Sequence, residues 1–247
     1  MSAEENQSQS SNSQPQIDLR ELVSSILENL PEQYHGTIIE DAIHYILRLR
    51  SKEQLYQIMQ EFRRRYPRVR RLTNEQARQA FRWLAERICE VYSVPTPRRI
   101  DIIERVEYWR GQRGPVPMTD LLRGSIQTTK SIISFLHELR HHIARHANYS
   151  QSEYLVQKWA IALWAMAYHD KILEGRVRIV DNFWVTLIPR TRIRAQRMYQ
   201  QIEERLIQSL NQQLSFDIRN TQFYQQIREL IINAIEEYLR NQRRRRQ

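Results

Sequence analysis

The segment Phe135-Leu136-His137-Glu138-Leu139-Arg140-His141-His142 carries the residue types and spacing best suited to chemistry. His137 and His141 stand four apart, which on a helix sets both imidazoles on one face, one turn above the other. Two rings so placed can bind one Zn²⁺, with Glu138 beside the metal to take a proton from its bound water. A bound zinc lowers the pKa of that water towards about 7, and the carboxylate completes a nucleophile at neutral pH. A chance H-E-x-x-H is expected on the order of once in a hundred sequences of this composition, so the pattern is specific but short. Apolar neighbours Ile132, Ile133, Leu136 and Leu139 would hold it in mid-helix.

Through these residues the chain resembles the zincin metallopeptidases, and is most similar to those whose third ligand is a Glu on the next helix. Glu153 follows His141 by twelve residues, in Ser152-Glu153-Tyr154-Leu155-Val156-Gln157-Lys158-Trp159-Ala160, which looks like the second-helix pattern of small one-domain zincins, including the phage-immunity type. The resemblance implies that His137, His141 and Glu153 are metal ligands and Glu138 the general base. It also implies a short edge strand at Gly124-Ser125-Ile126 that aligns substrate by strand addition. The metzincin extension fails, since Ala144 stands in place of its Gly and Ala147 in place of its third His. The likeness covers roughly residues 98–170. His169 and Asp170 are alternative ligands, His142 and His146 suit a solvated face, and neither Tyr149, Tyr154 nor His146 can be named as an oxyanion donor.

The elements that must position this motif are mostly helices. Leu19, Leu22, Val23, Ile26, Leu27 and Leu30 recur at three and four until Pro31. A second helix follows Thr37. Ser51 is placed as the N-cap of a third, and Thr73 with Gln76 forms a capping box on a fourth. Pro95 and Pro97 mark a boundary. Beyond it, RRIDIIERVEYW reads as a strand, RGQRGPVP as a turn-rich loop, and 124–127 as a short edge strand. Helices follow from Thr128 or Thr129 to about Ala147 and from Ser150 or Ser152 to about Leu173. RVRIVDNFWVTLIP reads as a hairpin about Asp181-Asn182, with a helix as the alternative. Two amphipathic helices, roughly 191–213 and 220–242, close the chain. The expected class is α+β, mostly α: a disordered tail over 1–16, a helical region over 17–95, a zincin-like core over 96–189, and C-terminal helices with a basic tail over 190–247.

Composition bounds the rest. A chain of 247 residues with 41% hydrophobic and 27% charged residues is long enough for a folded core and reads as globular. One Cys excludes a disulfide framework and a Cys-based zinc finger. No apolar run approaches a membrane span, and the polar N-terminus does not read as a signal peptide, so a cytoplasmic or virion-packaged protein is expected. The net charge is +10, and only four of the 38 basic residues are Lys. Arg63, Arg64, Arg65, Arg68, Arg70 and Arg71 fall within nine residues free of acid. Arg190, Arg192, Arg194 and Arg197 form a second cluster, and Arg243, Arg244, Arg245 and Arg246 a third. Such patches can track phosphates non-specifically, although no base-reading motif accompanies them. Nucleotide bias or a hot habitat, where surface ion pairs are common, is the plainer account of the Arg excess.

Two readings result. One is a zinc-dependent peptidase acting on a protein or peptide substrate. The other is an Arg-rich nucleic-acid-binding or packaging protein on an inactive zincin-like scaffold. Neither involves a membrane, and the oligomeric state is open.

Overall fold

The computed structural model describes residues 18–103, 118–120, 123–180, 184–213, 219 and 221–244, without the side chains of 204–206, 208–213 and 243–244. The expected tail over 1–16 and the basic residues Arg245 and Arg246 lie outside them, as do the RGQRGPVP loop, residues 104–109 of the expected strand before it, and the expected turn at Asp181-Asn182. The fold is mostly helical with two small sheets, an α+β arrangement as expected. No helix among the described residues is long and apolar enough to cross a membrane.

The chain divides into two compact units, Met1–His169 and Asp170–Gln247. In the first, helices α1 (Leu19–Glu28), α2 (Ile38–Ile46), α3 (Lys52–Arg65) and α4 (Asn74–Tyr92) precede strands β1 (Arg99–Ile102), β2 (Met118–Asp120) and β3 (Ser125–Thr128). Helices α5 (Ile132–Ala147) and α6 (Glu153–Leu173) follow. Side chains satisfy the orphan N–H groups at several helix starts. Asp18 accepts from Arg20 N at 2.7 Å, and Thr37 accepts from Ile39 N at 3.3 Å. Thr73 and Gln76 make the capping box in both directions, at 3.2 and 3.0 Å. Ser51 departs from expectation. It precedes α3 in the left-handed region at φ 54° and makes no side-chain cap.

The three-stranded sheet has the order β1-β3-β2. β3 pairs in parallel with β1, Arg99 opposite Ser125, and antiparallel with β2, Met118 opposite Gln127. The segment expected at the edge is therefore the middle strand, and β2 lies outside it. Three residues, Met118-Thr119-Asp120, are too few to show a strand period, which is why a second partner for β3 was invisible in the sequence.

α6 is the spine of the first unit. Val156, Gln157 and every residue from Trp159 to Tyr168 are buried, as befits a helix enclosed on all sides. α4 meets α5 through Phe81 and Phe135, whose rings stack 4.3 Å apart and 2° from parallel. α6 kinks at Tyr168 (φ −128°, ψ 22°), and the carbonyls before the kink are taken by α3. Gln60 donates to the Met166 carbonyl at 2.8 Å and Arg63 to that of Ala167.

In the second unit, β4 (Val177–Val180) and β5 (Trp184–Leu187) form the expected hairpin, Val180 opposite Trp184. Helices α7 (Arg190–Gln213) and α8 (Gln222–Arg244) pack through Ala195, Tyr199, Ile232 and Leu239. Glu236, nearly buried on α8, accepts from Arg240 at 2.6 Å.

Candidate metal centre

α5 starts at Ser131, whose side chain accepts from Ser134 N at 3.4 Å. Ile133, Leu136, Leu139 and Ile143 face the core, and that burial fixes the rotation of the helix. One consequence is that His137 and Glu138 are enclosed, at 2% and 5% exposure, while the His141 side chain keeps 14%. The turn after α5 is left-handed at Asn148 (φ 53°), and α6 begins at Glu153.

The two helices bring three ligand atoms together. His137 Nε2 lies 3.1 Å from His141 Nε2 and 3.1 Å from Glu153 Oε2, and His141 Nε2 lies 3.3 Å from Glu153 Oε1. These residues form a group that could hold a metal ion. A tetrahedral Zn²⁺ with bonds of about 2.0–2.1 Å separates its ligand atoms by about 3.3–3.4 Å, close to these spacings. Two imidazole nitrogens facing each other at 3.1 Å need a shared proton or a cation between them, because two lone pairs alone repel. The donor set, two imidazoles and one carboxylate, suits zinc.

Gln157, absent from the motif reading, completes the cluster. It stands one turn beyond Glu153 on α6, and its Oε1 lies 2.9 Å from His137 Nδ1. An amide oxygen only accepts, so Nδ1 carries the hydrogen and Nε2 presents its lone pair to the other ligands. The i, i+4 relation to Glu153 was the available signal for this residue.

Glu138, between the two histidines in sequence, is held from the sheet. Its Oε2 lies 2.8 Å from the Thr119 hydroxyl on β2, and the same hydroxyl lies 2.8 Å from the Glu138 carbonyl. Burial pushes the carboxyl up to about 7. Burial also holds the His137 imidazole below its usual range, with the neighbouring His141 acting in the same direction. No sequence signal marked Thr119, which joins the site only through strand pairing.

The alternative ligands fall away. His169 lies sixteen residues along α6 from Glu153, about 24 Å of helix at roughly 1.5 Å per residue, and Asp170 pairs with Lys171. His142 is not on a solvated face. It is 3% exposed, and its Nε2 donates to the Pro95 carbonyl at 2.7 Å. His146 is exposed beside it.

The basic clusters are partly consumed within the fold. Arg63 caps α6 and lies 5.2 Å over the Tyr168 ring. Arg65 pairs with Glu61 at 2.5 Å and lies 4.9 Å over Trp83. Arg190 pairs with Glu174 and Arg192 with Glu229, both at 2.5 Å. Arg64, Arg68, Arg70 and Arg71 are exposed on the surface of the first unit. The side chains of Arg243 and Arg244 are outside the described set.

No protein-family model, curated protein or solved structure matches the chain.

Proposed function

We propose that the protein is a zinc-dependent peptidase of the zincin type. The observation that carries this reading is the convergence of His137, His141 and Glu153 at 3.1–3.3 Å, with Glu138 next to the first ligand. In this reading His137 Nε2, His141 Nε2 and Glu153 hold the ion, and Gln157 keeps His137 in the ligating tautomer. Bound zinc would supply Lewis acidity, lowering the pKa of a coordinated water and polarising the scissile carbonyl. Glu138 takes a proton from the attacking water and returns it to the leaving amine. Oε1 is the oxygen available for this, since Oε2 is engaged by Thr119. A carboxyl poised near neutrality suits both halves of that transfer.

The test has two parts. Metal content of the purified chain should be about one equivalent of zinc, as one three-ligand site implies, and His141→Ala should lose it. Glu138→Ala should retain zinc while abolishing hydrolysis of a denatured protein substrate such as casein. Zinc-free protein that is still folded sinks the metal assignment. A cleavage rate unchanged in Glu138→Ala sinks the catalytic one.

A further inference from the structure

A second cluster of charged and aromatic side chains lies beside the metal centre on the same two helices. Arg140 precedes His141 on α5, and its guanidinium stands 4.7 Å from the Tyr149 ring and 5.6 Å from the Trp159 ring. Tyr92, at the end of α4, closes the cage. Its ring meets Tyr149 edge-on at 6.4 Å, and its hydroxyl accepts from Trp159 Nε1 at 3.0 Å. Lys158, the neighbour of Trp159, holds its ammonium 5.1 Å from the Tyr45 ring and 5.4 Å from that of Tyr154. Trp159, whose ring faces Arg140, adjoins Lys158 on α6 and links the two cations.

One carboxylate borders this cluster, Asp41 on α2, which accepts from the Tyr154 hydroxyl and pairs with neither cation. Neither Arg140 nor Lys158 forms an ion pair among the described residues, whereas Arg63, Arg65, Arg176, Arg190 and Arg192 each have a carboxylate or carbonyl partner. Arg140 Nη1 is buried with no hydrogen-bond acceptor among the described residues. Aromatic faces attract a cation but do not accept its in-plane N–H groups, and a desolvated guanidinium without an acceptor is costly. A planar fork with an unpaired donor and an ammonium without an ion pair are groups that recognise an oxyanion.

We propose that Arg140 and Lys158 form a binding site for an oxyanion, a carboxylate or a phosphate, lined by Tyr45, Tyr92, Tyr149 and Trp159. None of these residues is among the proposed metal ligands. Arg140 supplies the directed hydrogen bonds, Lys158 adds charge, and the aromatic rings hold both cations in place without neutralising them.

The experiment uses the full chain, ¹⁵N-labelled and freed of metal, with the chelator then dialysed away. Inorganic phosphate and acetate are titrated separately at constant ionic strength set with chloride. The readout is the Trp159 indole N–H, assigned with Trp159→Phe. One of the two anions should shift this signal saturably with a midpoint below about 10 mM, in the range of weak specific sites, and which one does so identifies the ligand chemistry. Arg140→Gln should abolish the saturable shift. Lys158→Gln should weaken it by about tenfold, as loss of one charge-assisted contact implies, and the exposed Arg64→Gln should leave it unchanged. If Arg140→Gln fails to fold, Lys158→Gln and Arg140→Lys carry the test, since both should weaken binding. Shifts that stay linear with both anions, or that persist in the Arg140 and Lys158 variants, overturn the proposal.

Discussion

The Thr119 hydroxyl sits 2.8 Å from both the carbonyl oxygen and the carboxyl Oε2 of Glu138, so one side chain on β2 bridges two acceptors on α5. A hydroxyl has a single proton to donate. If it goes to the carbonyl, the second contact is a hydrogen bond only when Glu138 is protonated and donates in return. The Thr119 bond draws the carboxyl down while burial, the larger effect, raises it, and the bridge joins the sheet to the helix that carries the ligands.

Stability should consequently respond to pH through Glu138. The carboxyl moves from 4.5 to about 7 on folding. Between those values the folded chain binds more protons than the unfolded chain. The contribution is thus fully present below pH 4.5 and is lost as pH rises to about 7. The size is on the order of 3 kcal/mol in the metal-free protein. His137 acts oppositely: its lowered pKa gives stability that is present above the usual histidine value and lost as pH falls below it. The two slopes offset each other in the parent. Glu138→Gln should expose the histidine slope and be more stable than the parent above neutrality. Urea titrations near pH 4.5 and well above pH 7 check this, and an identical midpoint difference at both would refute the assignment.

Gln157 should control metal affinity without touching the ion. Gln157→Leu removes the acceptor at His137 Nδ1, and loss of such an outer partner typically weakens binding about 10–100-fold. Competition against a chromophoric zinc chelator measures the change. Gln157→Glu, which keeps an acceptor, should restore most of the affinity. Equal affinity in Gln157→Leu and the parent would reduce the contact to packing.

Arg63 separates the structural from the nucleic-acid use of the basic segment. Its bond to the Ala167 carbonyl and its place over Tyr168 make Arg63→Ala destabilising by about 1–3 kcal/mol, the cost of a buried acceptor left bare. Exposed Arg64→Ala should leave stability within about 0.5 kcal/mol of the parent. Denaturant midpoints decide it, and equal effects from both substitutions would contradict the capping role.

What the sequence determined by itself was local. The spacing of His137, Glu138 and His141, the capping box at Thr73 and Gln76, and the apolar run along α6 each depend on neighbours within a turn or two, where helical periodicity alone sets which side chains share a face. The hairpin over 176–187 was legible for the same reason. What the tertiary structure decided was everything that joins distant segments. It moved β3 from the edge to the centre of its sheet, brought Thr119 to Glu138, buried His142 against Pro95, and turned Arg63 inward. It also brought Arg140 together with Trp159. Such contacts depend on how elements pack, and packing is set by the summed burial of many side chains rather than by any short pattern.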